Sequence, residues 1–175
     1  MGTGEETAGR MRQDWPSVEL DAVRRLRVLA AAGGHRMFAE RTLAASFDEV
    51  WSVASDLEGE LPRFITGLRA FSLEPAGPGG DRWSGVAISR IGHRERFDVV
   101  LRSGWCLMQS RAVVGGMAAV PEGEGVRFAL FGGLRLPGIR TVRSFLGSSP
   151  DGKGRLLMDR LESRVAAKAA ASAAD

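Results

Sequence analysis

The chain has 175 residues, 44% of them hydrophobic, and a formal net charge of +3. That length suits one domain whose core needs no staples, and no apolar run approaches the ~20 residues of a membrane span. One cysteine (Cys106) excludes an internal disulfide, one cysteine with two histidines argues against a structural zinc site, and scattered arginines without stacking aromatics argue against a nucleic-acid footprint.

Residues 1–14 are polar and glycine-rich and read as disordered. Trp15-Pro16-Ser17 can open a helix running to about Ala32, where Gly33-Gly34 stops it. Its apolar stripe is weak: Leu20, Val23, Leu26 or Arg27, and Ala30. Such a helix can pack on its own domain, cover an edge strand or meet a partner. The twin arginine Arg24-Arg25 precedes an apolar stretch that is short and interrupted by Arg27, so an export signal is not expected. With the single cysteine, this points to a reducing cytoplasm.

Phe38 to Ala45 reads as a strand, and the next stretch organises the rest. Ser46 can cap a helix while Glu49 reaches back to it, a capping box. Asp48 and Glu49 also place negative charge at the positive end of the helix dipole. Phe47, Val50, Trp51 and Ala54 recur at helical spacing. Asp56 with Gly59 marks a break, and Leu61, Phe64, Ile65 and Leu68 predict a second short helix with Pro62 in its first turn.

A meander follows. Leu68 to Glu74 is a strand, and Pro75 to Gly80 a turn. Arg82 to Arg90 and Arg94 to Arg102 form a hairpin about Gly92-His93. Trp105 to Ala112 is a further strand, with Gly115-Gly116 turning the chain. Met117 to Val120 then pairs with Val126 to Leu134. Counted from Phe38, the meander supplies seven antiparallel strands. Ile139 to Leu146 is a candidate helical turn and Gly147 to Gly154 a polar loop. Arg155 to Ala174 is a long helix with Leu157, Leu161 and Val165 at i, i+4, i+8.

The strand, then Ala45, Glu49, Val50, Trp51, Asp56, Leu61, Pro62, Phe64 and Gly67, resembles the opening of the START-like (SRPBCC) superfamily. The resemblance covers roughly residues 37–168. It implies an α+β helix-grip fold: a curved seven-stranded antiparallel sheet around a long C-terminal helix, with two short helices after the first strand. It divides the chain into an N-terminal extension, 1–34, and a helix-grip domain, 35–175. It also implies a cavity between sheet and helix, and a small hydrophobic molecule as partner.

The candidate cavity residues are Arg41, Trp83, Glu95, Phe97, Val99, Leu107, Gln109, Met117, Phe128, Leu130, Leu157 and Leu161. An ordinary core is the alternative for the apolar ones. For Arg41, Glu95 and Gln109, a structural pairing or a wet rim competes with ligand contact. No Ser-His-Asp, metal or phosphate-loop arrangement can be built, and no cofactor is expected. His35 reads as an exposed residue.

Three readings follow. The first is binding of a hydrophobic ligand without chemistry on it. The second is a polyketide cyclase/dehydrase-type enzyme, whose base and oxyanion stabiliser would have to come from Arg41, His93 or Glu95. The third is surface interaction through the N-terminal helix. There, docking on its own domain or on a second copy in a homodimer is favoured over membrane contact.

Overall fold

The computed structural model describes residues 19–34, 37–134 and 150–173. The expectations for residues 1–18, for His35 and for Ile139–Leu146 lie outside these. Seven strands form one antiparallel sheet: β1 Met37–Leu43, β2 Leu68–Pro75, β3 Arg82–Ser89, β4 Arg94–Arg102, β5 Trp105–Gln109, β6 Val113–Glu122 and β7 Gly125–Leu134. The spatial order is β1-β7-β6-β5-β4-β3-β2, so the meander is interrupted only by β1, which returns beside β7. The helices are α1 Ala22–Ala32, α2 Phe47–Ala54, α3 Leu61–Phe64 and α4 Pro150–Ser172. This is the α+β helix-grip architecture.

The predicted capping box is present. The Ser46 side chain accepts from the Glu49 backbone N–H, and Glu49 accepts from the Ser46 N–H at 2.8 Å. Ser46→Ala should lower stability by about 1 kcal/mol, because the Glu49 N–H loses its acceptor and the Glu49 carboxylate loses the Ser46 hydroxyl. A thermal midpoint falling by a few degrees on scanning calorimetry would verify it. The break behind this helix is an Asp turn, with Asp56 accepting from the Gly59 N–H at 2.8 Å.

Alternation of side chains gives the sheet two buried faces. On the inner face, α2, α3 and α4 cover Leu43, Val99, Cys106, Met108, Met117, Phe128 and Leu130. On the outer face, Val23, Leu26 and Ala30 of α1 cover Trp105, Val114, Ala118, Ala129 and Phe131. Helix α1 thus packs on its own sheet. It starts at Ala22 with Asp21 as N-cap, later than Trp15-Pro16-Ser17 suggests, since Glu19 and Leu20 are not helical. Asp21 also binds Arg127 of β7 at 2.8 Å. Burial alone would raise its carboxyl, but the Arg24 N–H and the Arg127 guanidinium outweigh this and hold it below the ordinary carboxylate range. The Arg127 Nε is 3.1 Å from Glu122 yet makes no hydrogen bond, so that contact is an ion pair only.

Two glycine sites correct the sequence reading. Gly115 and Gly116 do not turn the chain but lie within β6, opposite Gly132 and Phe131 of β7. The turn falls earlier, at Ser110–Ala112, where the Ser110 hydroxyl accepts from the Val113 N–H. A Cβ at Gly116 would lie 2.6 Å from Phe131 and 3.0 Å from Leu26, so this glycine lets α1 settle on the sheet. Helix α4 likewise begins earlier than Arg155. A Cβ at Gly154 would meet that of Ala39 at 2.8 Å, so a glycine that reads as loop instead lets the helix lie close to β1.

Candidate functional site

The register aligns Trp83, Val99, Met108, Gly115, Gly132 and Met37 in one row across the sheet. The neighbouring row on the same face holds Leu101, Cys106, Met117, Leu130 and Ala39. Over β1, β6 and β7 this face is closed core: Phe128, Met158 and Leu161 are at most 1% exposed, and Met117 and Leu130 are buried. Over β2, β3 and β4 it differs. There Leu73, Trp83, Ala87, Phe97 and Leu101 are only partly buried, above a floor of Phe71 and Val99. Phe71 and Phe97 form a tilted ring pair with centroids 5.9 Å apart.

Two polar features sit in this apolar region. The indole Nε1 of Trp83 is buried and has no hydrogen-bond partner. An unpaired buried N–H costs on the order of 1–3 kcal/mol. At the rim, Glu95 lies 3.5 Å from the exposed His93 imidazole. Hydrogen bonding to Ser110 is the main reason its carboxyl is held below the ordinary range, with His93 and the Ala112 backbone N–H adding to it. Glu95 is therefore an ionised carboxylate and a weak base. Trp83→Phe keeps an aromatic ring and removes the pyrrole half with its orphan donor. It should change stability by less than about 1 kcal/mol in urea unfolding; a loss several times larger would mean that the indole has a partner.

The predicted residues divide into five groups. Trp83, Phe97 and Leu157 are half-buried on the inner face. Val99, Met117, Phe128, Leu130 and Leu161 are also on that face, buried as core. Arg41 reaches α4, with Asp159 at 2.8 Å and Glu162 at 2.9 Å. These bonds, Asp159 first, raise its already high pKa, so it serves as a fixed cation tying β1 to α4. Glu95 stands at the rim. Leu107 and Gln109 are a correction: Leu107 packs in the outer cluster beneath α1, and Gln109 is exposed in the same phase. The inward residues of β5 are Cys106 and Met108. Both readings have period two, and only pairing of Leu101 with Cys106 selects the phase. Leu73, Ala87 and Leu101 were not in the predicted set. Leu101 alternates with Phe97 and Val99, so that signal was in the sequence, whereas Ala87 is too small to stand out.

Further cationic side chains lie on α4. Arg160 and Arg164 do not face solvent alone. Arg160 donates to the Phe64 carbonyl at 3.0 Å and also bonds Thr66, while Arg164 holds Glu60 through bonds of 2.7 and 2.9 Å. They line a surface cleft of about 270 Å³ with Arg63, Asp159 and Ser163. A second cleft, about 320 Å³, lies between α2 and α4 at Glu49, Ser52, Val165 and Lys168. Neither is lined by the half-buried inner-face residues. Among the described residues, no group of His, Cys, Asp and Glu is placed to hold a metal ion. Nor is any helix there long and apolar enough to cross a membrane.

Solved structures share this architecture. The protein TTHA0849 from Thermus thermophilus matches with a TM-score of 0.54 and 21% identity, over 75% of this chain and 97% of that one. Norcoclaurine synthase from Thalictrum, solved with a transition-state analogue, matches with a TM-score of 0.50 and 20% identity, over 75% and 93%. The di-domain ARO/CYC StfQ of the steffimycin biosynthetic pathway matches with a TM-score of 0.54 and 12% identity, over 76% of this chain and 51% of that one. No protein-family model matches the sequence, and no curated protein matches it. At these identities the likeness shows the fold alone, the helix-grip architecture.

Proposed function

We propose that this protein binds a small hydrophobic molecule on the inner face of β2, β3 and β4. The observation that carries this is the partly buried apolar set Leu73, Trp83, Ala87, Phe97 and Leu101, which α4 does not close as it closes the core over β1. Apolar surface with few polar groups favours an apolar guest, and removing it from water contributes roughly 25 cal/mol per Å². The orphan Trp83 N–H supports a guest that carries one hydrogen-bond acceptor.

A fluorescent fatty-acid or polycyclic probe titrated against the protein tests this. Saturable binding that falls at least about tenfold in Phe97→Asp is expected, because a charge placed there must be desolvated when the guest binds. Unchanged binding in that variant, with the fold intact by circular dichroism, would discard this face.

A second reading, a cyclase-type enzyme, is supported by the His93–Glu95 pair at the rim of the same face and by Ser110 beside it. Turnover of a poly-β-ketone mimic that vanishes in His93→Ala supports it. Turnover indifferent to both His93→Ala and Glu95→Gln counts against it.

A further inference from the structure

The loop after α3 and the β3–β4 turn meet at one end of the sheet. The Arg90 N–H donates to the Gly67 carbonyl at 3.1 Å, and Arg90 Nε donates to the Thr66 carbonyl at 2.6 Å. From this joined tip two isoleucines point into water: Ile91 is 93% exposed and Ile65 is 36% exposed. Ile91 is by far the most exposed large apolar side chain among the described residues. Packing does not require it there, and a hairpin turn ordinarily carries polar residues.

The charges beside the tip are basic. Arg160 bonds Thr66 on the loop itself, and Arg63 stands just before it. With Arg164 and Ser163 these two arginines line the open cleft of about 270 Å³. The two carboxylates there are already engaged, Asp159 by Arg41 at 2.8 Å and Glu60 by Arg164 at 2.7 Å. The Arg63 backbone N–H donates to the Glu60 carbonyl at 2.9 Å, while its guanidinium makes no side-chain hydrogen bond or close ion pair among the described residues and acts on Glu60 only at longer range. Arg164 is itself spent on Glu60, so the free positive charge of the cleft comes from Arg63 and Arg160, and the apolar tip lies next to it.

We infer that this end of the molecule docks on an anionic phospholipid surface, with Ile65 and Ile91 entering the interface and a lipid phosphate in the Arg63–Arg160–Arg164 cleft. Exposed apolar side chains gain by leaving water at the headgroup boundary. Each basic residue near an anionic surface adds attraction that salt weakens. A protein partner would equally need acidic and apolar groups, but a flat bilayer best fits a protruding turn with cations behind it. Helix α1 also carries arginines, but its Val23, Leu26 and Ala30 are spent on the sheet, and the Val28 and Leu29 it leaves exposed, at 54% and 40%, are less exposed than Ile91.

The full chain is sedimented with vesicles of phosphatidylcholine alone and of phosphatidylcholine with phosphatidylglycerol. Binding is expected only to the second, falling at least about tenfold in Ile91→Asp and in Arg63→Glu, and with added salt. Arg25→Glu on α1 should leave it unchanged. No binding to either vesicle, equal binding to both, or loss in Arg25→Glu but not in Ile91→Asp each overturns the inference. So does equal competition by free glycerol phosphate, which would make the cleft a site for small anions. Probe binding in lipid-free buffer is a separate measurement, so failure here leaves the ligand reading standing, and the reverse also holds.

Discussion

Deletion of residues 1–34 is expected to lower stability by about 3–5 kcal/mol and to make the remaining domain self-associate. Val23 and Leu26 are fully buried against the outer face of the sheet, and Ala30 is 2% exposed. Without them Trp105, Val114, Ala118 and Phe131 would lie bare on three adjacent strands, an apolar patch of the kind that drives association. The Asp21–Arg127 bond would go as well. In a chain of this size the loss corresponds to a thermal midpoint lower by roughly 10 °C. Leu26→Asp separates docking from mere presence of the helix, since it keeps the segment and places a charge over Gly116. Calorimetry together with light scattering checks both variants. A deletion with unchanged oligomer size and an unchanged midpoint would show that α1 adds nothing to this domain.

Arg164→Ala is the second large effect, with an expected loss of about 2–4 kcal/mol. Glu60 is 7% exposed and is gripped by both Nε and a terminal nitrogen of Arg164. Removing the arginine leaves a nearly buried carboxylate unpaired, which costs more than the pair itself contributes. The figure sits below that for a fully buried pair because the Arg164 side chain is 31% exposed. The effect is pH-dependent. The Arg164 hydrogen bond holds the Glu60 carboxyl below its ordinary value of 4.5. Its contribution is therefore complete above that value and is lost as pH falls through the lower, folded one. Wild type and variant should converge in stability toward strong acid, and urea unfolding across pH measures it. A constant gap at all pH values would mean that packing, not the ion pair, is lost.

The elements with local causes were legible in the chain. The Ser46–Glu49 box, Pro62 in the first turn of α3, and the hairpin about Gly92-His93 each depend on residues within a few positions of one another. The count of seven strands followed from alternation punctuated by turns, while the helix-grip fold was what the resemblance of the Ala45–Gly67 stretch implied. Part of the inner face was legible too, because Met37, Ala39, Arg41 and Leu43 keep one phase along β1.

What only the tertiary structure decided were the pairings. Glycine is ambiguous in sequence, since a turn and a close approach both favour it. Gly116 and Gly154 proved to be sites of close approach, because the partner atoms of Phe131, Leu26 and Ala39 come from other segments of the chain. Leu107 and Gln109 share a phase with Trp105, but which face that phase takes depends on β4 and β6. The arginines of α4 look solvated in a helical projection and find Glu60 and Thr66 only once α3 is beside them. Local hydrogen bonding and period thus determine which elements form. Contacts between residues far apart in the chain determine which side of each element is buried, and so which inner-face residues stay only partly buried.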